Sequence, residues 1–185
     1  VLLAKGLHDR GHDVVVATFY SGGPLEKDLQ EAGVRIRPLR KHGRWDIAVF
    51  FWRLIQAVRQ ERPEIVNSYL SNLVTVVLRP FFPTIKIVWS IRCSFMDFDR
   101  YDWLHRLTDT ATCWLSGVSD LVIANSYAGR KEYVAKGYLA SKVVVISNGI
   151  DTNVFYPNDE SRRRLRREWH VRDDDELIGL IGRLD

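Results

Sequence analysis

Short, almost uncharged runs rich in β-branched residues recur between helical patterns, and this alternation constrains the fold more than any other feature. Asp13 to Thr18 (DVVVAT), Glu64 to Asn67 (EIVN), Ile85 to Ser90 (IKIVWS), Leu121 to Ala124 (LVIA) and Val143 to Ile146 (VVVI) read as strands buried on both faces. Val34 to Leu39 alternates apolar and basic residues around Pro38, as an edge strand does. The intervening stretches carry helix signals. Val1 to Arg10 is stopped by Gly11, and Leu25 to Ala32 is opened by Pro24 and closed by Gly33. Ile47, Phe51, Leu54 and Val58 mark one face of a helix from Asp46 to about Glu61, ended by Arg62-Pro63. Asn72 to Leu78 and Tyr101 to Ser116 read as further helices, the second ended by Gly117, and Ser126 caps another that runs to Lys136. Apolar strands separated by helices imply a doubly wound α/β fold with a mostly parallel sheet covered on both faces.

The period is lost at Ser147 to Pro157, which carries Gly149 and Pro157. The expected division is therefore residues 1–146 as one domain, 147–158 as a crossover, and 159–185 as the start of a second domain. That second piece holds a charged helix, Asp159 to His170, and the beginning of a strand, Leu177 to Ile181. The chain of 185 residues opens on Val and stops just after an apolar run. It is accordingly expected to be a fragment truncated at both ends. No uncharged apolar run approaches the roughly 18–20 residues of a membrane span, and Cys93 and Cys113 are too few for a disulfide scaffold, which fits a reducing, cytoplasmic setting.

Ligands of open parallel sheets bind beyond the carboxyl ends of the strands. The segments there are Phe19 to Pro24, Ser68 to Asn72, Ile91-Arg92-Cys93-Ser94, Asn125-Ser126 and Ser147-Asn148-Gly149. Hydroxyl, amide and glycine groups dominate them, which suits a sugar or a phosphate, and no His/Cys cluster suggests zinc. Gly22, Gly23, Tyr69, Asn125 and Ser126 are the candidate contacts. Each has a plain structural reading beside the functional one. The two glycines can simply form a tight turn, and Asn125-Ser126 can serve as a helix cap. Arg92 can neutralise a phosphate or carboxylate, or pair with Asp97 or Asp99. The formal charge of +4 is too small to announce nucleic acid, and the five arginines of residues 161–167 read as a solvated face facing Asp173 to Glu176. Phe50-Phe51-Trp52 reads as core, or as a lipid-facing surface with Arg40, Lys41, Arg44 and Trp45 upstream. The five histidines are scattered, and GxGxxG, GxxxxGK[ST] and GxSxG are absent.

Several segments together resemble the GT-B retaining glycosyltransferases of family four. Leu7-His8-Asp9-Arg10-Gly11-His12-Asp13-Val14 is similar to their helix-to-strand turn, and Gly23-Pro24-Leu25 with Leu29, Ala32, Gly33 and Val34 to their GPL-x3-L-x2-AGV segment. Asp120 to Ser126 resembles a late strand of the family. Val145 to Asp151 with Phe155 and Pro157 resembles its interdomain crossover, and Ile178 to Leu184 the opening of its donor-binding domain.

The resemblance implies a Rossmann-like acceptor-side domain and transfer of a sugar from a nucleotide sugar to a glycan or lipid-linked acceptor, with retention of configuration. It implies no cofactor and no obligatory metal. Gly182, Arg183 and Asn148 become donor-side residues, Arg183 matching the family's diphosphate-binding arginine. Many members place a His after the strand that Ile85 to Ser90 matches. Ser90-Ile91-Arg92 stands there instead, so Arg92 is the candidate for a charge-stabilising catalytic role. The family's first, central strand is expected to be missing before Val1. A piece without it should be poorly stable and inactive in isolation. The expected setting is polysaccharide or glycolipid assembly at the cytoplasmic face of a membrane, with peripheral contact to that membrane. Two rivals share these features: a sugar-nucleotide epimerase of the same architecture, and a non-catalytic basic binding module.

Overall fold

The structure is a computed structural model that describes residues 1–43, 46–69, 72–91 and 103–179, with side chains of the last stretch described from residue 107. Arg44, Trp45, Arg92, Cys93, Gly182 and Arg183 lie outside the described residues. The chain divides into two compact units, Val1–Asn148 and Gly149–Asp185.

The first unit alternates helix and strand throughout. Its elements are α1 (Leu2–His8), β1 (Val15–Thr18), α2 (Glu26–Glu31), β2 (Arg35–Pro38), α3 (Ile47–Glu61), β3 (Ile65–Ser68), α4 (Asn72–Val76), β4 (Lys86–Ile91), α5 (Trp103–Leu115), β5 (Leu121–Ala124), α6 (Tyr127–Ala135) and β6 (Val143–Val145). Every strand pair is parallel. β1 pairs with β2, Val15 opposite Arg35, and β3, β4, β5 and β6 pair in chain order. The doubly wound α/β architecture is therefore present, with one difference from a single continuous sheet. Among the described residues β1 and β3 do not pair, so the strands form a two-stranded and a four-stranded sheet. Among the described residues the backbone groups on the unpaired edges of β1 and β3 have no ladder partner.

The packing follows from the strand sequences. β4 is the most deeply placed strand, with Ile87 and Trp89 fully buried and Ser90 and Ile91 nearly so. Phe50, Leu54, Ala57 and Val58 of α3 join Ile87, Trp89, Val122, Ala124 and Val143 in one apolar core. The Trp89 indole N–H donates to Thr75 Oγ1 at 2.9 Å, and Thr75 in turn donates to the Asn72 carbonyl at 2.7 Å, which fastens α4 to β4. At the amino end of the sheet Asp120 accepts from the Ile87 N–H and the Arg79 guanidinium, at 2.8 and 2.7 Å. β2 is an edge strand. Its Arg35 pairs with Asp13 and Glu61 at 2.8 Å each, and a charged edge of this kind resists pairing with other chains. Gly33 ends α2 at φ 73°, a conformation that glycine adopts without a Cβ clash.

The second unit contains α7 (Asp159–Glu168), capped by the Asn158 side chain, which accepts from the Ser161 N–H at 2.8 Å. Arg166 is 6% exposed and donates to the carbonyls of Arg172 and Asp175, tying the following turn to the helix. The strand expected from Leu177 is not formed over Leu177 to Gly179. Among the described residues no strand lies beside it within this unit, and an apolar run alone does not hold a strand conformation. Residues 180 and 181 of that expected strand lie outside the described residues.

Candidate functional site

The parallel register puts the carboxyl strand ends of each sheet on one edge of that sheet. All six strands of the first unit are parallel to their sheet partners, so Thr18, Ser68, Ile91, Ala124 and Val145 are carboxyl-terminal strand ends, and the loops after them form a rim. Each expected rim residue can be placed in turn.

Gly22 and Gly23 form the turn after β1. Gly22 has φ 82°, its N–H donates to Glu26 Oε2 at 2.9 Å, and the Glu26 N–H donates to the Gly23 carbonyl at 3.0 Å. These bonds account for the glycines as a turn that starts α2. A Cβ at either glycine would meet nothing within 4 Å, so the turn is open to solvent. Tyr69 follows β3 and is 37% exposed. Ser126 is the N-cap of α6, its Oγ accepting from the Gly129 N–H at 3.0 Å, and Asn125 sits between that cap and the end of β5. Asn148 follows β6, is exposed, and ends the first unit. Tyr69, Asn125, Ser126 and Asn148 thus all follow carboxyl strand ends, whereas Arg92, Gly182 and Arg183 fall outside the described residues.

The structure adds polar groups that sequence reading missed. Ser90, 3% exposed in the middle of the core sheet, donates its hydroxyl to Asn67 Oδ1 at 2.9 Å. A buried hydroxyl that orients an exposed amide leaves the Asn67 NH2 donors available at the end of β3. Among the described residues Thr18 Oγ1, Glu26 Oε1 and Asn72 Oδ1 are buried oxygens without a hydrogen-bond partner. Such orphaned oxygens are uncommon in folded proteins and call for an explanation. Thr18 ends β1, Glu26 starts the helix after it, and Asn72 starts the helix after β3, so all three belong to the rim. The only sequence-level sign was a polar residue at the end of an apolar run.

Chemically, this rim offers hydroxyl, amide and carboxylate groups at fixed positions. Neutral hydrogen-bonding groups of both kinds match the hydroxyls of a carbohydrate. Among the described residues no group of three or more His, Cys, Asp or Glu side chains is placed to hold a metal ion. A concavity of about 640 Å³ in the second unit is lined by Leu165, Arg166, Trp169, Leu177 and Ile178. Its buried Arg166 is bonded to main-chain carbonyls, and Arg162, Asp175 and Glu176 complete a lining of mixed charge. No described helix is long and apolar enough to cross a membrane.

Residues 1–154 match the family model described as Glycosyltransferase Family 4. The chain belongs to Glycosyltransferase Family 4. No curated protein matches it in sequence. Among solved structures, this Family 4 chain is similar to Anabaena Alr3699/HepE in complex with UDP-glucose, with TM-score 0.67 and 18% identity over 90% of this chain and 44% of that one. It is also similar to a glycosyltransferase from Rickettsia africae, with TM-score 0.64 and 16% identity over 93% and 45% of the two chains. A UDP-GlcNAc 2-epimerase from Neisseria meningitidis bound to UDP-GlcNAc aligns with TM-score 0.55 and 13% identity over 77% and 42%. These likenesses establish a GT-B, Rossmann-like fold. The Family 4 chain spans about 44% of the length of the first of these structures.

Proposed function

We propose that the protein carrying this chain transfers a hexosyl group from a nucleotide sugar to a glycan or lipid-linked acceptor with retained configuration. The observation that supports this reading most is the rim of unspent oxygens and amides at the strand ends of a Family 4 chain. In this reading residues 1–146 form the acceptor side, 147–158 the crossover and 159–185 the start of the donor side. Gly22, Gly23, Tyr69, Asn125 and Ser126 line the acceptor, joined by Thr18, Glu26, Asn67 and Asn72. Hydrogen bonds between acceptor hydroxyls and exposed groups such as the Asn67 amide would supply affinity for a carbohydrate. Asn148, Gly182 and Arg183 serve the donor. Arg183 offsets the charge that builds on the departing nucleotide diphosphate, and Arg92 stabilises charge at the reacting sugar. No metal or other cofactor is required by these roles, and the setting is assembly of a polysaccharide or glycolipid in the cytoplasm.

UDP-glucose is the donor to try first, because it is the ligand named in the complex of the similar HepE structure. Incubated with the full-length protein and candidate glycan acceptors, it should release UDP only when an acceptor is present. Arg92→Ala should lower kcat by about 10²–10³-fold while leaving the thermal unfolding midpoint unchanged. Unchanged turnover in Arg92→Ala would remove that residue from the mechanism. The similar UDP-GlcNAc 2-epimerase fold supports a second reading. Conversion of UDP-GlcNAc to an epimer with no acceptor present would establish it in place of transfer.

A further inference from the structure

Asn67 places an amide near the carboxyl end of β3, and the neighbouring strand supplies its partner. β3 and β4 are parallel with Asn67 opposite Val88, so Ser90, two residues further along β4, shares the face of Asn67. The Ser90 hydroxyl donates to Asn67 Oδ1 at 2.9 Å. Ser90 is buried, whereas Asn67 is exposed. The surroundings hold the serine in place. Trp89 and Ile91 on either side of it are buried, and the Trp89 indole N–H is bonded to Thr75 Oγ1.

The pair fixes the polarity of the amide. An asparagine side chain carries an accepting oxygen and an NH2 with two donors, and a half-turn about its last bond exchanges them. With Oδ1 engaged by Ser90, the NH2 is turned away from the serine. The reverse arrangement would aim the NH2 at the hydroxyl. It would leave the serine proton without its acceptor at a position that water barely reaches, which is the less stable state. One buried hydroxyl thus decides that Asn67 shows donors, and not an acceptor, to whatever meets the strand end.

We propose that Ser90 is a positioning residue for Asn67, and that the oriented amide makes Asn67 a specificity determinant. The amide donates to one oxygen of the carbohydrate acceptor and accepts from none. This inference rests on the reading of the rim as the acceptor side of a glycosyltransferase. A sugar hydroxyl fits by accepting from the amide while its own proton goes to water. A deoxy position, or a group that only donates, does not fit. Ser90 touches no substrate in this scheme and acts through Asn67 alone. Its loss frees the amide to turn, which weakens acceptor binding and leaves the reacting atoms untouched.

The test is nitrogen-15 NMR of the full-length protein, with the Asn67 NH2 signal assigned by its loss in Asn67→Ala. Its order parameter should lie near about 0.85, fall below about 0.6 in Ser90→Ala, and recover in Ser90→Thr, which keeps the hydroxyl. Ser119→Ala deletes another buried hydroxyl, just before β5, and should leave the signal unchanged. The probes are methyl glycosides of glucose, galactose, mannose and N-acetylglucosamine. At least one should shift the Asn67 signal. Ser90→Ala should weaken its binding about fivefold, with no further loss when Asn67 is already Ala. Asn67→Asp, which removes the donors and keeps the bond to Ser90, should weaken it at least as much. An order parameter unchanged in Ser90→Ala, no shift with any probe, or equal losses in Ser90→Ala and Ser119→Ala would overturn the proposal. An acceptor that supports UDP release yet leaves the Asn67 signal in place would overturn this inference alone. A probe that shifts the signal of a protein releasing no UDP with any acceptor would support the contact and remove the transfer reading.

Discussion

Asp120 shows how much one side chain can hold. Partial burial pushes its carboxyl upward, but the Ile87 N–H, the Arg79 guanidinium and the Lys86 ammonium together keep it below its ordinary value. A carboxyl whose folded pKa is depressed contributes stability above its unfolded value near 4, and loses it as pH falls through the folded pKa. Asp120→Ala should therefore cost about 1–3 kcal/mol at neutral pH. The difference between variant and parent should shrink in urea titrations taken below about pH 4. A cost that stays constant across that range would mean that the carboxylate charge is not responsible. Legibility at this scale was uneven. Ser126 was identifiable as a cap because capping is a local matter between a side chain and an N–H three residues on. The Asn67–Ser90 pair was not, because it depends on β3 and β4 meeting with Asn67 opposite Val88. Nothing in EIVN or IKIVWS specifies that register.

At the level of the element, the apolar runs and helix stops carried most of the information. Leu121 to Ala124 forms a strand over the residues expected, and α3 ends at Glu61 before Arg62-Pro63 as its breaker requires. Leu177 to Gly179 did not follow its pattern, since a strand needs neighbours that a short sequence window does not show. The fastening of α4 to β4 was equally hidden, resting on a tryptophan and a threonine 14 residues apart. Thr75→Val keeps the shape and removes the acceptor, leaving the fully buried Trp89 indole N–H unpaired. It should lower stability by about 1–3 kcal/mol. Trp89→Phe added to Thr75→Val should cost less than the two single changes summed, as unfolding midpoints of the three variants can check. Strict additivity would show that the bond contributes nothing.

For the whole molecule, the fold class was readable because alternating helices and apolar strands admit few arrangements. The division into two sheets was not, since which strands fail to meet is a property of the assembled set. The stretch from Ile146 to Pro157 is exposed throughout, with Phe155 and Tyr156 66% and 59% accessible. Brief chymotrypsin treatment should cut after Phe155, since Pro157 blocks cleavage after Tyr156, and release a resistant piece ending there. Equal cutting within the first 148 residues would mean that the first unit is no more compact than its flank. The order of the four-stranded sheet carries one last consequence. Its spatial order β3-β4-β5-β6 is also its chain order, so each strand pairs with the one made just before it. On the ribosome, every new strand would emerge to find its template already in place. This sheet can therefore grow vectorially, without waiting for a distant downstream segment to complete an earlier pair.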